Sequence, residues 1–159
     1  DLDGYADLRR RTDVPIVCSG NYILDPAIMN LAIDKGAWSS VRCETTFAGG
    51  ITGTSKIFAL AATRGMNVEP QTWGYSLTQA AGLHVELAFS NCRYFEQPVP
   101  YPAYEFACVS PIRTDAQGYV TVPPGPGLGV QIDWDLVEES SVLIYEDDGK
   151  SSRNLKISN

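Results

Sequence analysis

Four polar residues stand at comparable places along the first hundred positions: Asn21, Glu44, Gln71 and Glu96. They follow the apolar runs Pro15-Ile16-Val17-Cys18, Trp38 to Cys43, Met66-Asn67-Val68 and Cys92 to Phe95, and the steps between them are 23, 27 and 25 residues. Two are carboxylates, which can hold a hard cation or, in an enclosed site, carry a proton. Two are carboxamides, which donate and accept hydrogen bonds but do not titrate. That chemistry is useful only if a fold brings the four positions to one side.

A recurrence near 25 residues implies a repeated supersecondary unit. Short apolar runs alternating with helical patterns imply βαβ units and a parallel sheet, whose working residues gather at the C-terminal ends of the strands. Four such units are half of an eight-fold barrel. The predicted fold class is therefore α/β, a partial TIM-type (β/α) barrel over residues 1–98. Residues 99–159 form a C-terminal extension packed on it. Pro98, Pro100 and Pro102 mark the change, because proline tolerates neither a helix interior nor a central strand.

The expected elements follow from local signals. Tyr5 and Leu8 give helical spacing over residues 3–12, and Val14 to Cys18 is the first strand. Asp25 caps a helix with Pro26 at its first position and Ile28, Leu31 and Ala32 inward, stopped at Gly36. A further helix follows Gly49-Gly50-Ile51-Thr52-Gly53, with Ile57, Leu60 and Ala61 inward and Gly65 as its stop. Ser76 caps another, with Leu77, Ala80, Ala81, Val85 and Ala88 on its apolar face. Beyond it come a turn at Asp115 to Gly118, an alternating run at Tyr119 to Val122, a short helix at Asp133 to Glu139, a last strand at Val142 to Tyr145, and a frayed polar tail.

Composition excludes several functions. A net charge of −7 in 159 residues disfavours a phosphate-backbone ligand. No run of 18 apolar residues exists to span a bilayer. Arg9-Arg10-Arg11 closes the first helix, where cations complement the helix dipole. The four cysteines (Cys18, Cys43, Cys92, Cys108) lack CxxC spacing and sit in apolar runs. Buried thiols in a reducing, cytoplasmic compartment are expected, although Cys18 and Cys43 end successive strands and a bridge between them stays open.

His84, the single histidine, falls mid-helix and is read as structural. The glycines at 49, 50 and 53 lack phosphate-loop spacing and start a helix instead. Gly125 to Gly129 has prolines where donors would be needed, so it is a loop. Trp73 either walls a pocket or fills the barrel mouth.

Taken in order, these stretches resemble a known family. Thr12-Asp13-Val14-Pro15-Ile16, Gly49-Gly50-Ile51-Thr52-Gly53, Arg64-Gly65-Met66, Tyr94-Phe95-Glu96 and Pro126-Gly127-Leu128-Gly129-Val130 with Asp133 look like the C-terminal half of the enolase superfamily barrel. The match is to its mandelate racemase/muconate lactonizing enzyme branch, which includes sugar-acid dehydratases. The resemblance covers essentially the whole chain and implies that the four strands are the fifth to eighth of the barrel.

Such enzymes hold Mg²⁺ on three carboxylates. The metal stabilises the enediolate formed when a base takes the α-proton of a carboxylate substrate. Carried over by position, the third metal carboxylate belongs to a Gly-Glu-Asn turn that here is Ser19-Gly20-Asn21, so Gly20 stands at the ligand place. Glu44 stands at the acid of the family's Asp–His dyad, and Gln71 at its base. Glu96 stands where the family keeps a Glu. The other two metal carboxylates would precede Asp1.

The resemblance thus implies Glu96, Gln71 and Glu44 as the catalytic positions, Asn21 and Trp73 as substrate-binding, and Glu44 as a substitute metal ligand. Each has a plainer reading. Glu96 is either a hydrogen-bond donor to an enediolate or a solvated or Arg-paired carboxylate at a strand end. Glu44 is either a metal ligand or a polar group at the mouth. Gln71 either binds substrate hydroxyls or makes a structural hydrogen bond.

The expected function is that of the C-terminal part of a Mg²⁺-dependent acid-sugar dehydratase or racemase, inactive in isolation, with a small sugar acid as substrate. The competing expectation is a non-catalytic binding or assembly module on the same fold. In a third, the base comes from a lysine or tyrosine outside this chain. Because Asp1 already lies within an expected helix, the chain is read as a fragment. Four strands leave two open edges, so pairing with a second copy or with an N-terminal half is expected.

Overall fold

The computed structural model describes residues 1–18, 20–141, 145–147, 149 and 152–154, with the backbone alone for Asn21, 145–147 and 152–154. Its helices are α1 (Leu2–Arg10), α2 (Pro26–Asp34), α3 (Gly50–Ala62), α4 (Ser76–Ala88) and α5 (Trp134–Ser140), and β1 (Tyr145–Asp147) pairs antiparallel with β2 (Ser152–Asn154). Of the expected last strand at Val142 to Tyr145, Tyr145 opens β1, while residues 142–144 and the tail at 155–159 lie outside the described residues.

Between the helices run extended segments that join through single parallel bridges: Val17 with Ser40, Val41 with Val68, and Glu44 with Gln71. The order is therefore first, second, third, as consecutive βαβ units require. Bonding is most regular between the second and third segments, where Val41 N donates to Asn67 O (2.9 Å), Glu69 N to Val41 O (2.9 Å) and Gln71 N to Cys43 O (2.7 Å). The fourth segment joins the third through one such bond, Val68 N to Asn91 O at 2.8 Å.

Side chains alternate across these segments, so one face meets the helices and the other lines the inside. The helix-facing residues Cys18, Val41, Cys43 and Val68 pack with Met29, Ala32, Trp38, Ile57, Phe58, Ala61 and Val85 into one buried cluster. Phe58 stacks on Phe89 with ring centroids 5.0 Å apart. A smaller cluster joins Ala80, Leu83 and Ile112 with Phe95, Val120, Leu128 and Val130, so residues beyond 99 pack on α4. His84 Nε2 meets Leu128 O at 3.2 Å across the same contact, a structural place for it.

Several helix expectations need correction. In α2 the buried residues are Met29 and Ala32, while Ile28 and Leu31 are exposed. The helix lies rotated from the expected face, which puts the flexible Met29 in the irregular gap against the sheet. In α4, Tyr75 is the N-cap and Ser76 lies one residue inside, buried with no partner for its hydroxyl. The buried residues of α4 are Ser76, Gln79, Ala80, Gly82, Leu83, Val85 and Glu86, of which Ala80 and Leu83 meet the extension, while Leu77 and Ala88 are exposed. Residues 119–122 form no strand; the antiparallel bridge of this region joins Cys108 to Ile132. The cap at Asp25 stands as expected, and Asp133 proves to be the cap of α5 and not its first helical residue, each carboxylate accepting a backbone N–H from the first turn. All four cysteines are free thiols, and Cys18 is engaged by the backbone of Arg42 instead, through Arg42 N (2.9 Å) and Arg42 O (3.2 Å).

Candidate functional site

The inner face carries the predicted site residues, because Arg42, Glu44, Glu69 and Gln71 alternate with the helix-facing Val41, Cys43 and Val68. Glu44 and Gln71 are bridge partners and so project side by side. Glu44 is 1% exposed, and its Oε1 accepts from Thr46 N at 2.9 Å, which folds the side chain onto its own turn. Its other oxygen, Oε2, is buried without a partner among the described residues, and so is Gln71 Oε1. Two unpaired acceptors at one strand end are unfavourable, since each has lost water and gained no donor. A ligand bringing O–H or N–H donors would relieve both.

Gln71 also reaches Gly20, which closes the first segment with φ +65°. A Cβ placed on Gly20 would lie 2.3 Å from Gln71 Oε1 and 3.5 Å from Arg42 Cδ. Gly20 therefore leaves the space that the Gln71 amide uses. Asn21 follows it in the single turn Gly20–Tyr22.

Glu96 accepts hydrogen bonds on both carboxylate oxygens, from Arg42 Nη2 (2.6 Å) to Oε2 and from Trp73 Nε1 (2.6 Å) to Oε1. Of its two readings, the geometry is that of the arginine-paired carboxylate. Trp73 is half exposed, with Tyr104 of the extension edge-on to its ring at 5.3 Å between centroids. The fourth segment is anchored by Thr72 Oγ1, which donates to Glu96 O. Arg42, Glu69 and Glu96 line a cavity of about 590 Å³ along the inner face, together with Ser39, Asn67 and Arg93.

Arg42, Glu69 and Glu86 escaped the sequence reading. Arg42 was legible in principle, standing two residues before Glu44 and hence on the same face. Glu69 stands in the same relation to Gln71. Glu86 gave no signal, because it breaks the apolar pattern of α4 from the buried side. Burial first, then the charges of Glu69 and Glu96, push its carboxyl up to about 8. Burial also raises Glu69, against the lowering influence of the backbone N–H groups of Arg93 and Tyr94.

At the place the resemblance gives to the third metal carboxylate this chain has no donor side chain. Gly20 has no side-chain oxygen, and among the described residues no three His, Cys, Asp or Glu side chains are grouped to hold a metal ion. No described helix is long and apolar enough to cross a membrane.

Known proteins bear on this arrangement. A family model described as enolase C-terminal domain-like matches residues 1–136. D-galactarolactone cycloisomerase from Agrobacterium fabrum is 30% identical over 147 residues, 87% of this chain and 38% of the relative. D-galactonate dehydratase from Ralstonia pickettii is 31% identical over 143 residues, 86% of this chain and 37% of the relative. A crystal structure from Pseudovibrio sp., described as of the mandelate racemase/muconate lactonizing enzyme group, superposes with a TM-score of 0.87 at 48% identity. It covers 90% of this chain and 38% of that one. A mandelate racemase-type structure from Bordetella bronchiseptica superposes with a TM-score of 0.82 at 30% identity, over 90% and 38%. The chain thus spans less than two fifths of these relatives. With its ordered strand–helix units and the match over residues 1–136, the chain belongs to the enolase C-terminal domain-like family, in the company of mandelate racemases and sugar-acid dehydratases.

Proposed function

We propose that this chain is the strand-five-to-eight portion of a barrel protein that acts on sugar acids, and that its strand ends bind and orient the ligand without removing the α-proton. The observation that carries this is Gln71. At the position of the family's base it presents a buried, unpartnered carbonyl oxygen beside the unpartnered oxygen of Glu44. An amide cannot accept a proton at neutral pH, but both oxygens can accept from ligand hydroxyls. Arg42 and Trp73 hold Glu96 as an acceptor, so it too is placed to orient and not to donate. Mg²⁺, where bound, would offset negative charge on the ligand, but Gly20 supplies it no side-chain oxygen.

The rest of the barrel completes the site under this reading. Val14 and Val17 on the first segment and Tyr94 on the fourth are exposed, the surfaces that further strands would cover. The lower part of the inner cavity, at Pro15, Ser39 and Asn67, would be filled by side chains of those strands, as barrel interiors are. The described part of the extension over residues 99–141 acts as a cover, with Tyr104 against Trp73.

The test uses the full-length protein with D-galactonate, the acid named for one relative, in deuterated water. Proton NMR reads exchange at the α-carbon, and calorimetry reads binding. Gln71→Leu is expected to weaken binding roughly tenfold, from a lost hydrogen bond in a buried place. Any α-exchange shown by the unaltered protein should persist in the variant at saturating acid. Exchange abolished by Gln71→Leu with binding unchanged would overturn the proposal, as would the absence of binding to any sugar acid.

A further inference from the structure

The seam between the third and fourth segments has a carboxyl on each side. Glu69 reaches it from the inner face, where it lines the cavity of about 590 Å³. Glu86 reaches it from α4, where it lines a second cavity of about 140 Å³ with Leu83, Cys92 and Val120. Arg93 and Tyr94 of the fourth segment line both cavities. One backbone bond, Val68 N to Asn91 O, joins the two segments. Glu69 faces the backbone N–H groups of Arg93 and Tyr94 and adds a side-chain tie. Each carboxyl keeps an oxygen buried without a partner, Glu69 Oε2 and Glu86 Oε1.

Glu86 is 7% exposed, and its surroundings disfavour its charge. Burial comes first, then the like charges of Glu69 on the third segment and Glu96 on the fourth, and together they push it up to about 8. Cys43 and Cys92 face it as thiols that burial, first among the causes, pushes up to about 12, so they stay neutral. The cations Arg93 and Arg42 act on Glu69, after burial and the backbone donors of the fourth segment. On α4 itself, His84 turns to Leu128 O. The extension brings the apolar Val120.

A short path leads from this carboxyl to the ligand site. A Cβ built on Gly82 would lie 3.1 Å from Thr72 Cγ2 and 3.9 Å from Glu86 Oε1, so the threonine and the carboxyl flank one spot on α4. Thr72 Oγ1 donates to Glu96 O. Glu96 in turn holds Arg42 and Trp73.

We propose that Glu86 is a positioning residue of the ligand site: with its proton it keeps the fourth segment closed on the third, and without it like charges part the seam and displace Glu96. This rests on the reading that the ligand is a sugar acid. The proton passes to solvent, and the ionised carboxylate takes up water through the outer cavity, since a buried charge needs hydration or a partner.

The test is a pH series from 7 to 9 on the full-length protein, with circular dichroism as the check on folding. Calorimetry reads the Kd for D-galactonate, which is ionised throughout and adds no slope of its own. NMR without ligand reads the Trp73 indole N–H, identified by its loss in Trp73→Phe. The Kd is expected to rise roughly tenfold from pH 7 to pH 9, the factor by which the protonated form declines above a midpoint near 8. The Trp73 resonance moves with the same midpoint, because its hydrogen bond ends on Glu96. Glu86→Gln, a neutral stand-in for the protonated acid, makes both readouts flat. Glu69→Gln removes one like charge and moves the midpoint to lower pH, which decides the matter even if Glu86→Gln fails to fold. Readouts that are flat in the unaltered protein, or that titrate identically in Glu86→Gln, overturn the positioning role and leave the sugar-acid reading standing. No binding at any pH, with a Trp73 resonance that titrates only while Glu86 is present, overturns the sugar-acid reading and leaves the coupling of Glu86 to Glu96.

Discussion

The seam between the second and third segments and the seam between the third and fourth are built from different materials. The former is a run of backbone bonds linking Val41, Glu69 and Gln71 to the neighbouring segment, over the apolar Val41, Cys43 and Val68. The latter has one backbone bond, Val68 N to Asn91 O, and is otherwise tied by side chains. Asn91 Nδ2 donates to Phe58 O and Met66 O (3.1 Å each), and Thr72 Oγ1 donates to Glu96 O. Beneath it, on α4, lies Glu86, buried with Oε1 unpartnered. The apolar seam is held by removal of surface from water, which is insensitive to pH and tolerant of detail. The polar seam depends on the placement and protonation of single groups, and Glu96 sits at its end.

The largest expected effect breaks the apolar seam. Phe58 is fully buried against Ile57, Val68 and Phe89. Phe58→Ala should cost about 3–5 kcal/mol, from lost transfer free energy and the cavity left behind. Urea unfolding would show it as a lower midpoint at an unchanged slope. A loss under about 1 kcal/mol would mean that the helix layer is not tightly packed here.

The next effect separates the seams by pH. Glu86 has its carboxyl raised from 4.5 to about 8, by burial first and by Glu69 and Glu96 after it. Between those values the folded state binds more proton than the unfolded one, so stability falls as pH rises. The contribution is fully present below about pH 4.5 and is gone above about pH 8. The slope should approach about 1.4 kcal/mol per pH unit within that window. Glu86→Gln removes the titration and should flatten the profile, gaining stability at pH 8 relative to the unaltered chain. Thermal unfolding from pH 5 to 9 measures it, and a parallel profile in the variant would assign the slope elsewhere.

Asn91→Ala removes two hydrogen bonds that tie α3 and the third segment to the fourth, and should cost about 1–3 kcal/mol. Its unfolding midpoint, compared with that of Phe58→Ala, ranks the two seams directly.

The apolar seam was the part legible in the sequence. Runs such as Trp38 to Cys43 and the stops at Gly36 and Gly65 speak through local pattern, and both glycines do adopt positive φ, +68° and +63°. The rotation of α2 that buries Met29 and exposes Leu31 is set by what lies across the gap, which local pattern does not encode. Glu44 and Gln71 could be placed at strand ends by spacing alone. Their unpaired oxygens, and the partnership of Arg42 with Glu96 across 54 positions, depend on tertiary contact. Polar contacts between distant segments leave no periodicity to read.

The smallest effect on stability is expected where the polar seam meets the site. Thr72→Val keeps volume and β-branching and removes one donor, so about 1 kcal/mol is at stake. The Glu96 carbonyl then loses its anchor, and the backbone of the fourth segment is left tied to the third through Asn91 and Glu69. Glu96 is the partner that orients Arg42 and Trp73, so a small displacement there reaches the ligand-binding groups. Thr72→Val should therefore weaken D-galactonate binding by more than Asn91→Ala does, although it destabilises the fold less. If binding instead follows stability across both variants, the polar seam is only a weaker version of the apolar one. If the order inverts, the seam exists to position Glu96.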